Sequence, residues 1–328
     1  MDLPTKIILE TFDGFEKEKD IINLITTSKN YEDMFIKYFY LYKNRYNINK
    51  LMYEASSHNN QDLVEFFINQ GANNWNSGMI IAAERGNKDL VEFFVHKGAH
   101  NWDFGMIWAT RGGHEDLVKF FADKVTNKLF INMAMGYAGE GNKDLVEFFI
   151  SKGADDWNFG MRGAARGGHE DLIEFFINKG ADDWNVGMRG AAEGGHKDLV
   201  EFFINKGADD WDFGMKGVVL GGHKDLVEFF INKGANDFNA GMKLAAKGSY
   251  KDLVKFFIDK GADDLNEGMK WAALGGHKDL VEFFIDKGAN DFNEGMKWAA
   301  GGDHKDLVKF FIIDKGAEYP TIEDEDEY

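Results

Sequence analysis

Cysteine is absent from the 328 residues. That excludes a disulfide framework and cysteine-based zinc spacing, and it fits a reducing compartment. Long apolar runs are missing as well. The longest span only a few residues, too short for a membrane helix. The N-terminus carries acids at Asp2 and Glu10 and no extended apolar stretch, so it does not read as a signal peptide. A cytoplasmic location is the expectation. Basic residues are outnumbered, 38 Lys and Arg against 56 Asp and Glu, for a formal net charge of −18. A chain this acidic is poorly matched to phosphate backbones or anionic lipid, so neither nucleic acid nor membrane is expected as a partner.

Catalytic signatures are also lacking. The sequence has no cysteine nucleophile, no Gly-x-Ser-x-Gly elbow, no phosphate-cradling glycine loop after a strand and no His-Glu-x-x-His. Its carboxylates recur in register, as a solvated charge row would, rather than as an isolated pair in a cleft. The expectation is a non-enzyme with no cofactor and no metal.

What is present is repetition. The phrase Asp-Leu-Val-Glu-Phe-Phe, or a near copy, starts at Asp62, Asp89, Asp116, Asp144, Asp171, Asp198, Asp225, Asp252, Asp279 and Asp306. Successive starts are 27 residues apart, with one step of 28. A fixed period in this range marks a solenoid. Apolar residues make up 44% and Phe occurs 30 times, enough to fill a core along such an array.

One repeat, 183–207, serves as specimen. Asn185 reads as an N-cap. A short helix A follows, with Met188, Ala191 and Ala192 on one face and small residues that allow a neighbouring helix to approach. Gly194-Gly195 ends it, because glycine accepts the left-handed geometry of a C-terminal turn. Helix B runs from about His196 to Lys206. Leu199, Val200, Phe203 and Ile204 face inward with Phe202 alongside, Asp198 and Lys206 suit the helix dipole, and Gly207 stops the helix. Neither helix is long enough to stand alone in water. Stacking on the next unit buries the Leu, Val and Phe side chains, each contributing roughly 1.5–3 kcal/mol. The predicted fold class is therefore all-α, a solenoid of stacked helix-turn-helix repeats with little or no β-hairpin.

Two ladders accompany the array. Trp75, Trp102, Trp157, Trp184 and Trp211 share one phase, replaced elsewhere by Phe130, Phe238, Phe292, Leu265 and Ile48. They read as staples packing a loop against helix A, with ligand stacking as the alternative. His114, His169, His196, His223, His277 and His304 fall at the start of helix B. Repeats stack roughly 8–10 Å apart. Metal bonds near 2 Å cannot bridge that spacing with imidazoles alone, so capping and inter-repeat hydrogen bonding are expected.

Gly187-Met188, Ala191-Ala192, Gly195-His196, Leu199-Val200, Phe202-Phe203 and Gly207-Ala208-Asp209 match the pattern of the ankyrin repeat. The chain resembles that family over about residues 48–318. Two departures stand out. Val186-Gly187 replaces the family's Thr-Pro, and each unit is about six residues shorter than the usual 33. The missing residues fall between Ala208-Asp209 and Phe213-Gly214, where the family carries its β-hairpin finger. Helix pairs joined by short loops, without finger strands, are implied. Short Asn-, Lys- and Phe-rich repeats of this kind resemble ankyrin proteins of giant DNA viruses, which would imply a host-cytoplasm setting and host–virus interaction.

Three stretches break the pattern. Between Phe121 and Gly136 the Lys-Gly-Ala-Asp-Asp-Trp phrase is lost and one residue is added, which predicts a local defect in the stack. Residues 319–328 end in the acidic run Glu323–Glu327, expected as a solubilising tail. Residues 1–45 differ throughout. Leu3-Pro4, Ile7-Ile8, Phe12, Asp20-Ile21-Ile22, Leu24, Ser28-Lys29 and Tyr31 resemble an F-box, with Lys6, Thr11 and Tyr31 departing from its pattern. The resemblance implies docking of a ubiquitin-ligase adaptor through Leu3, Pro4, Ile7, Ile8, Phe12, Ile21, Ile22 and Leu24. The alternative is a cap that seals the first repeat, which solenoids require. Residues 31–47 read as a degenerate helix B, with Phe35 falling 27 before Asp62. The organisation is thus an F-box-like or capping segment over 1–45, ten repeats over 46–318, and the tail over 319–328.

Comparing repeats with one another exposes the positions packing does not fix. They flank Gly-Met in helix A and carry Phe104, Trp108, Phe159, Arg162, Arg189, Phe213, Lys216, Lys243, Lys270, Trp271, Lys297 and Trp298. In ankyrin proteins the corresponding face lines the concave groove. Arg, Trp and Phe are the residue types that anchor interfaces. The functional expectation is a monomeric protein-interaction module that holds an acidic or mixed protein segment on this stripe. A solvated face offset by Asp182-Asp183 and Asp209-Asp210 is the plainer reading. As a sharper version the chain would be a substrate receptor holding an adaptor and a target; as an alternative it would be an assembly scaffold.

Overall fold

The computed structural model describes residues 18–41 and 46–318, and among them there is no strand. The fold is an all-α solenoid of stacked helix-turn-helix repeats, as the period and the apolar spacing require. The chain divides into two compact units. One comprises Met1–Ala138 and Asn142–Asp156, the other Gly139–Gly141 and Trp157–Tyr328.

In the first unit, A helices Ile48–Ser57, Trp75–Glu84 and Trp102–Arg111 stack on one another. Each packs against its own B helix, Gln61–Asn69, Lys88–Lys97 and Glu115–Ala122. In the second unit the same arrangement runs through A helices Trp157–Gly167, Trp184–Gly194, Trp211–Gly221, Phe238–Lys247, Leu265–Leu274 and Phe292–Gly301. Their B partners are Glu170–Lys179, Lys197–Lys206, Lys224–Lys233, Lys251–Asp259, Lys278–Asp286 and Lys305–Lys315.

Each repeat contributes buried side chains from both of its helices to the core. The second phenylalanine of each Phe-Phe pair, such as Phe67, Phe94, Phe176, Phe203 and Phe230, is fully buried, with Leu and Val of the same helix. Met188, Ala191 and Ala192 are buried from the A side. The glycine of each Gly-Met pair supplies the fit: a Cβ on Gly241 would stand 2.6 Å from Phe257 Cζ, and one on Gly105 would stand 2.6 Å from Phe121 Cε1. The residue before Met is glycine because helix A lies on the aromatic ring itself. Close approach of neighbouring A helices has the same origin. A Cβ on Gly217 would meet the Arg189 carbonyl oxygen at 2.7 Å.

Both ladders serve the stacking. Every Trp, Phe, Leu or Ile of the first ladder outside the irregular repeat is the first residue of its A helix. The histidines join repeats: Nε2 donates to a last-turn carbonyl of the preceding A helix, His114 to Glu84 at 2.9 Å, His196 to Arg166 at 3.1 Å, His277 to Lys247 at 2.9 Å. A carbonyl can only accept, so Nε2 carries the proton. These histidines occupy the N-cap position, but their rings make no capping bond to their own helix. The capping half of the expectation is therefore corrected. Where Asn60 and Asn142 stand instead, the shorter side chain caps its own helix, accepting from Leu63 and Leu145 N–H at 3.0 Å each.

The start of helix A also needs correction. Its N-cap is Asp183, which accepts from the Val186 N–H at 3.2 Å. Asn185 lies inside the helix, and its Oδ1 accepts from the Asp209 and Asp210 N–H groups of the next loop, both at 2.9 Å. A cap two residues earlier frees the Asn to tie two repeats together. Helix B begins at Lys197, one residue after the expected start, with His196 outside it.

The irregular repeat is a register slip. Asn132 does the bridging work, accepting from Asp155 and Asp156 N–H at 2.9 and 3.1 Å. Since the staple immediately precedes the residue at this place in every regular repeat (Asn, or Asp103 and Asp212), Ile131 takes its place rather than Phe130. Ile131 is buried, and Phe130 packs edge-on against Phe104 with ring centroids 5.6 Å apart. His114 to Asn132 is two residues longer than His169 to Asn185, while Asn132 to Asn142 is one shorter than Asn158 to His169, which accounts for the single 28-residue step.

Residues 18–41 add a further helix pair to the first unit. Helix Glu18–Ile25 packs against Lys29–Tyr38 and against the A helix Ile48–Ser57. Lys29–Tyr38, followed by the 3₁₀ turn Phe39–Leu41, replaces the helix expected over 31–47. Phe35 is the counterpart of Phe67, each seven residues after its N-cap, Ser28 and Asn60. It is therefore the structural counterpart of the buried phenylalanines and not of Asp62, although it stands 32 residues before Phe67 rather than one 27-residue period. The acidic run 323–327 lies outside the described residues.

Candidate functional site

Within each unit the variable positions of helix A form a row because each A helix stacks on the last in the same orientation. In the second unit this row carries Arg162, Arg189, Lys216, Lys243, Lys270 and Lys297 at one phase. All but Lys297 are half-buried, so the aliphatic stems lie against the stack.

Among the described residues all of these cations but Lys243 are ion-paired. Arg162 Nη2 donates to both oxygens of Glu193, at 2.7 and 2.9 Å, and Arg189 Nε donates to Glu193 Oε1 at 3.0 Å. Glu193 is buried, its side chain 6% exposed. Arg162 also stands over the Phe159 ring at 5.6 Å and Arg189 over the Phe213 ring at 4.4 Å. Lys216 pairs with Asp237 at 2.7 Å. Burial pushes the Asp237 carboxyl up, but the Lys216 ammonium and the Ala240 N–H bonded to it hold it below its ordinary value. Lys270 contacts Glu267 at 2.7 Å and Asp291 at 3.8 Å, and Lys297 contacts Glu294 at 2.8 Å. Hydrogen bonding to Glu267 raises the Lys270 pKa, and hydrogen bonding from Lys297 lowers that of Glu294.

Aromatic residues complete the row. Trp271 and Trp298 lie together with centroids 5.6 Å apart, and Lys247 stands over Trp271 at 5.5 Å. In the first unit Phe104 is 42% exposed beside Phe130, and Arg111 stands over Trp108 at 5.0 Å. Two participants escape a residue-by-residue reading. Glu193 carries its signal in spacing, four after Arg189 and 31 after Arg162, which is one repeat plus one helical turn. Arg166 and Glu140, 3.2 Å apart, repeat the theme one row over.

Of the residues the F-box resemblance implies, Leu3, Pro4, Ile7, Ile8 and Phe12 lie outside the described residues. Ile21 and Ile22 are fully buried and Leu24 is half-buried. Among the described residues, no group of three or more His, Cys, Asp or Glu is placed to hold a metal ion, and no helix is long and apolar enough to cross a membrane.

Fold and row together define an α-helical repeat protein whose units each carry a varied face on a repeated stack, aromatic and cationic in the second unit. No family model matches the chain, and no curated protein matches its sequence.

Proposed function

We propose that this chain is a protein-interaction module that holds a protein segment across its A-helix row. The observation that carries the reading is the contrast within each repeat. Gly, Met, Phe and Leu recur at buried places, while the half-buried place directly after Gly-Met changes from Ile80 to Arg189 to Lys270. Packing dictates the first set and leaves the second to be chosen by something outside the repeat. Repeat stacks commonly use such faces for extended binding, and clustered Trp, Phe and Arg are apt anchors.

The direct experiment is affinity capture by the full chain and by a variant carrying Lys243→Glu, Lys297→Glu and Trp298→Ala. Loss of specific partners at unchanged melting temperature supports the reading; an identical set of captured proteins refutes it. Arg189→Ala is unsuited to this test, because it would strip a partner from buried Glu193 and disturb the stack itself.

The finer reading, a substrate receptor of a cullin-type ubiquitin ligase in host cytoplasm, rests on the F-box resemblance. The burial of Ile21, Ile22 and Ile25 within the first unit favours the other role for residues 18–41, a cap over the first repeat.

A further inference from the structure

Among the described residues of the second unit, one charged side chain is buried: Glu193, clasped by two arginines from successive A helices. Its arrangement differs from that of the row's lysines, of which Lys243 forms no ion pair among the described residues and stands as a single ammonium. Lys216, Lys270 and Lys297 each have a carboxylate within 2.8 Å, so those pairs are locally neutral. Arg162 and Arg189 share a single carboxylate and keep a formal charge of +1 between them. Nη1 of Arg162 and both Nη atoms of Arg189 have no protein partner among the described residues.

Both guanidiniums are fixed as well as charged. Glu193 holds Arg162 through both its oxygens and Arg189 through Nε, while the rings of Phe159 and Phe213 lie beneath them. A buried ion pair of this sort is a weak source of stability, since desolvation offsets most of the attraction. It does fix geometry. An arginine already held in one orientation loses little entropy on forming a further charge-assisted bond, and its planar fork matches a carboxylate.

The geometry points to Arg162 and Arg189 as the anchor of the A-helix row, a guanidinium pair that receives an aspartate or glutamate side chain of an acidic partner segment, with Glu193 as the positioning residue that sets the pair. This rests on the interaction-module reading above and names its chemistry. The ligand is acidic because two forks sharing one internal carboxylate leave donors for a second. The clasp spans two repeats, roughly 8–10 Å, and an extended acidic peptide of about six residues, roughly 20 Å long, covers it and its two phenylalanines.

The test is fluorescence anisotropy of a labelled hexaglutamate peptide titrated with the full-length protein at low salt. Wild type is expected to bind saturably. Arg162→Lys with Arg189→Lys retains charge and loses the fork, and should weaken binding at least about tenfold. Lys297→Gln, on the same row, should weaken it less. Glu193→Gln decides the role of the carboxylate by its sign. If Glu193 only competes for the arginines, removing a negative charge tightens binding of an acidic peptide. If it positions them, binding weakens despite the added positive charge. Thermal melting accompanies every variant, and the Arg→Lys pair keeps the question open to answer should Glu193→Gln not fold.

No saturable binding by wild type, or an Arg→Lys pair indistinguishable from it, overturns the anchor. Tighter binding by Glu193→Gln overturns the positioning role. The row as an interaction face would survive these results if the capture experiment still depends on Lys243, Lys297 and Trp298, so the two failures are distinguishable.

Discussion

The ring of Phe257 occupies the space in which a side chain on Gly241 would begin: a Cβ there would stand 2.6 Å from Cζ. Both residues belong to the same repeat, one on helix A and one on helix B, and the pairing recurs along the array. It sets the spacing between the two helices and explains how a 27-residue unit closes on itself.

Gly241→Ala is therefore expected to destabilise the protein by about 1–3 kcal/mol through overpacking against a buried ring. In an unconstrained helix the same change would gain about 1 kcal/mol. Gly301 provides the contrast, since a Cβ there meets nothing within 4 Å. Gly301→Ala should be neutral or stabilise by up to about 1 kcal/mol. Chemical denaturation of both variants checks the pair, and equal responses would refute the account of the Gly-Met glycine.

Asn185 joins two repeats through two backbone N–H groups. Asn185→Ala should cost about 1–2 kcal/mol, with faster hydrogen exchange at Asp209 and Asp210. Asn185→Asp should cost less than Ala, because Asp212 does the same work one repeat on, accepting from Asn236 and Asp237 N–H at 2.8 Å each, although the new carboxylate faces Asp209, to which Asn185 Nδ2 donates at 3.5 Å. An Asp variant as damaged as the Ala variant would contradict this.

The lowered pKa of Asp237 gives a pH dependence of definite sign. A carboxyl held below its unfolded value contributes stability above the unfolded pKa, and that contribution fades as pH falls through the folded one. Asp237→Asn can still cap the Ala240 N–H but loses the ion pair with Lys216. Wild type should exceed this variant in stability near neutral pH and converge with it in acid. Melting temperatures of the two that differ by the same amount from neutral to acidic pH would show the pairing to be unimportant.

For the N-terminal segment the cap reading predicts a loss of stability when buried Ile22 becomes Ala, about 2–5 kcal/mol for a large-to-small core change. It also predicts no capture of a purified Skp-type adaptor. Adaptor capture by wild type that disappears when Leu3, Pro4 and Ile7 become Ala would establish the receptor reading in its place.

Period, composition and glycine punctuation determined the repeat, its two helices, their boundaries to within a residue or two and the buried face. These are local properties: helical spacing, capping chemistry and the intolerance of apolar side chains for water all act within one 27-residue window. Tertiary structure decided what crosses from one repeat to the next. Asn185 reads as a cap until the next loop is seen waiting for its oxygen, and His196 until the preceding carbonyl comes within 3.1 Å. Phe35 and Ile131 find their places only through what they pack and bond beside. The charge row needed the same information, because an arginine's counterion can sit four residues or a whole repeat away, as Glu193 sits from Arg189 and Arg162. Such partners are chosen by distance in space, which the stacking of one helix on another creates.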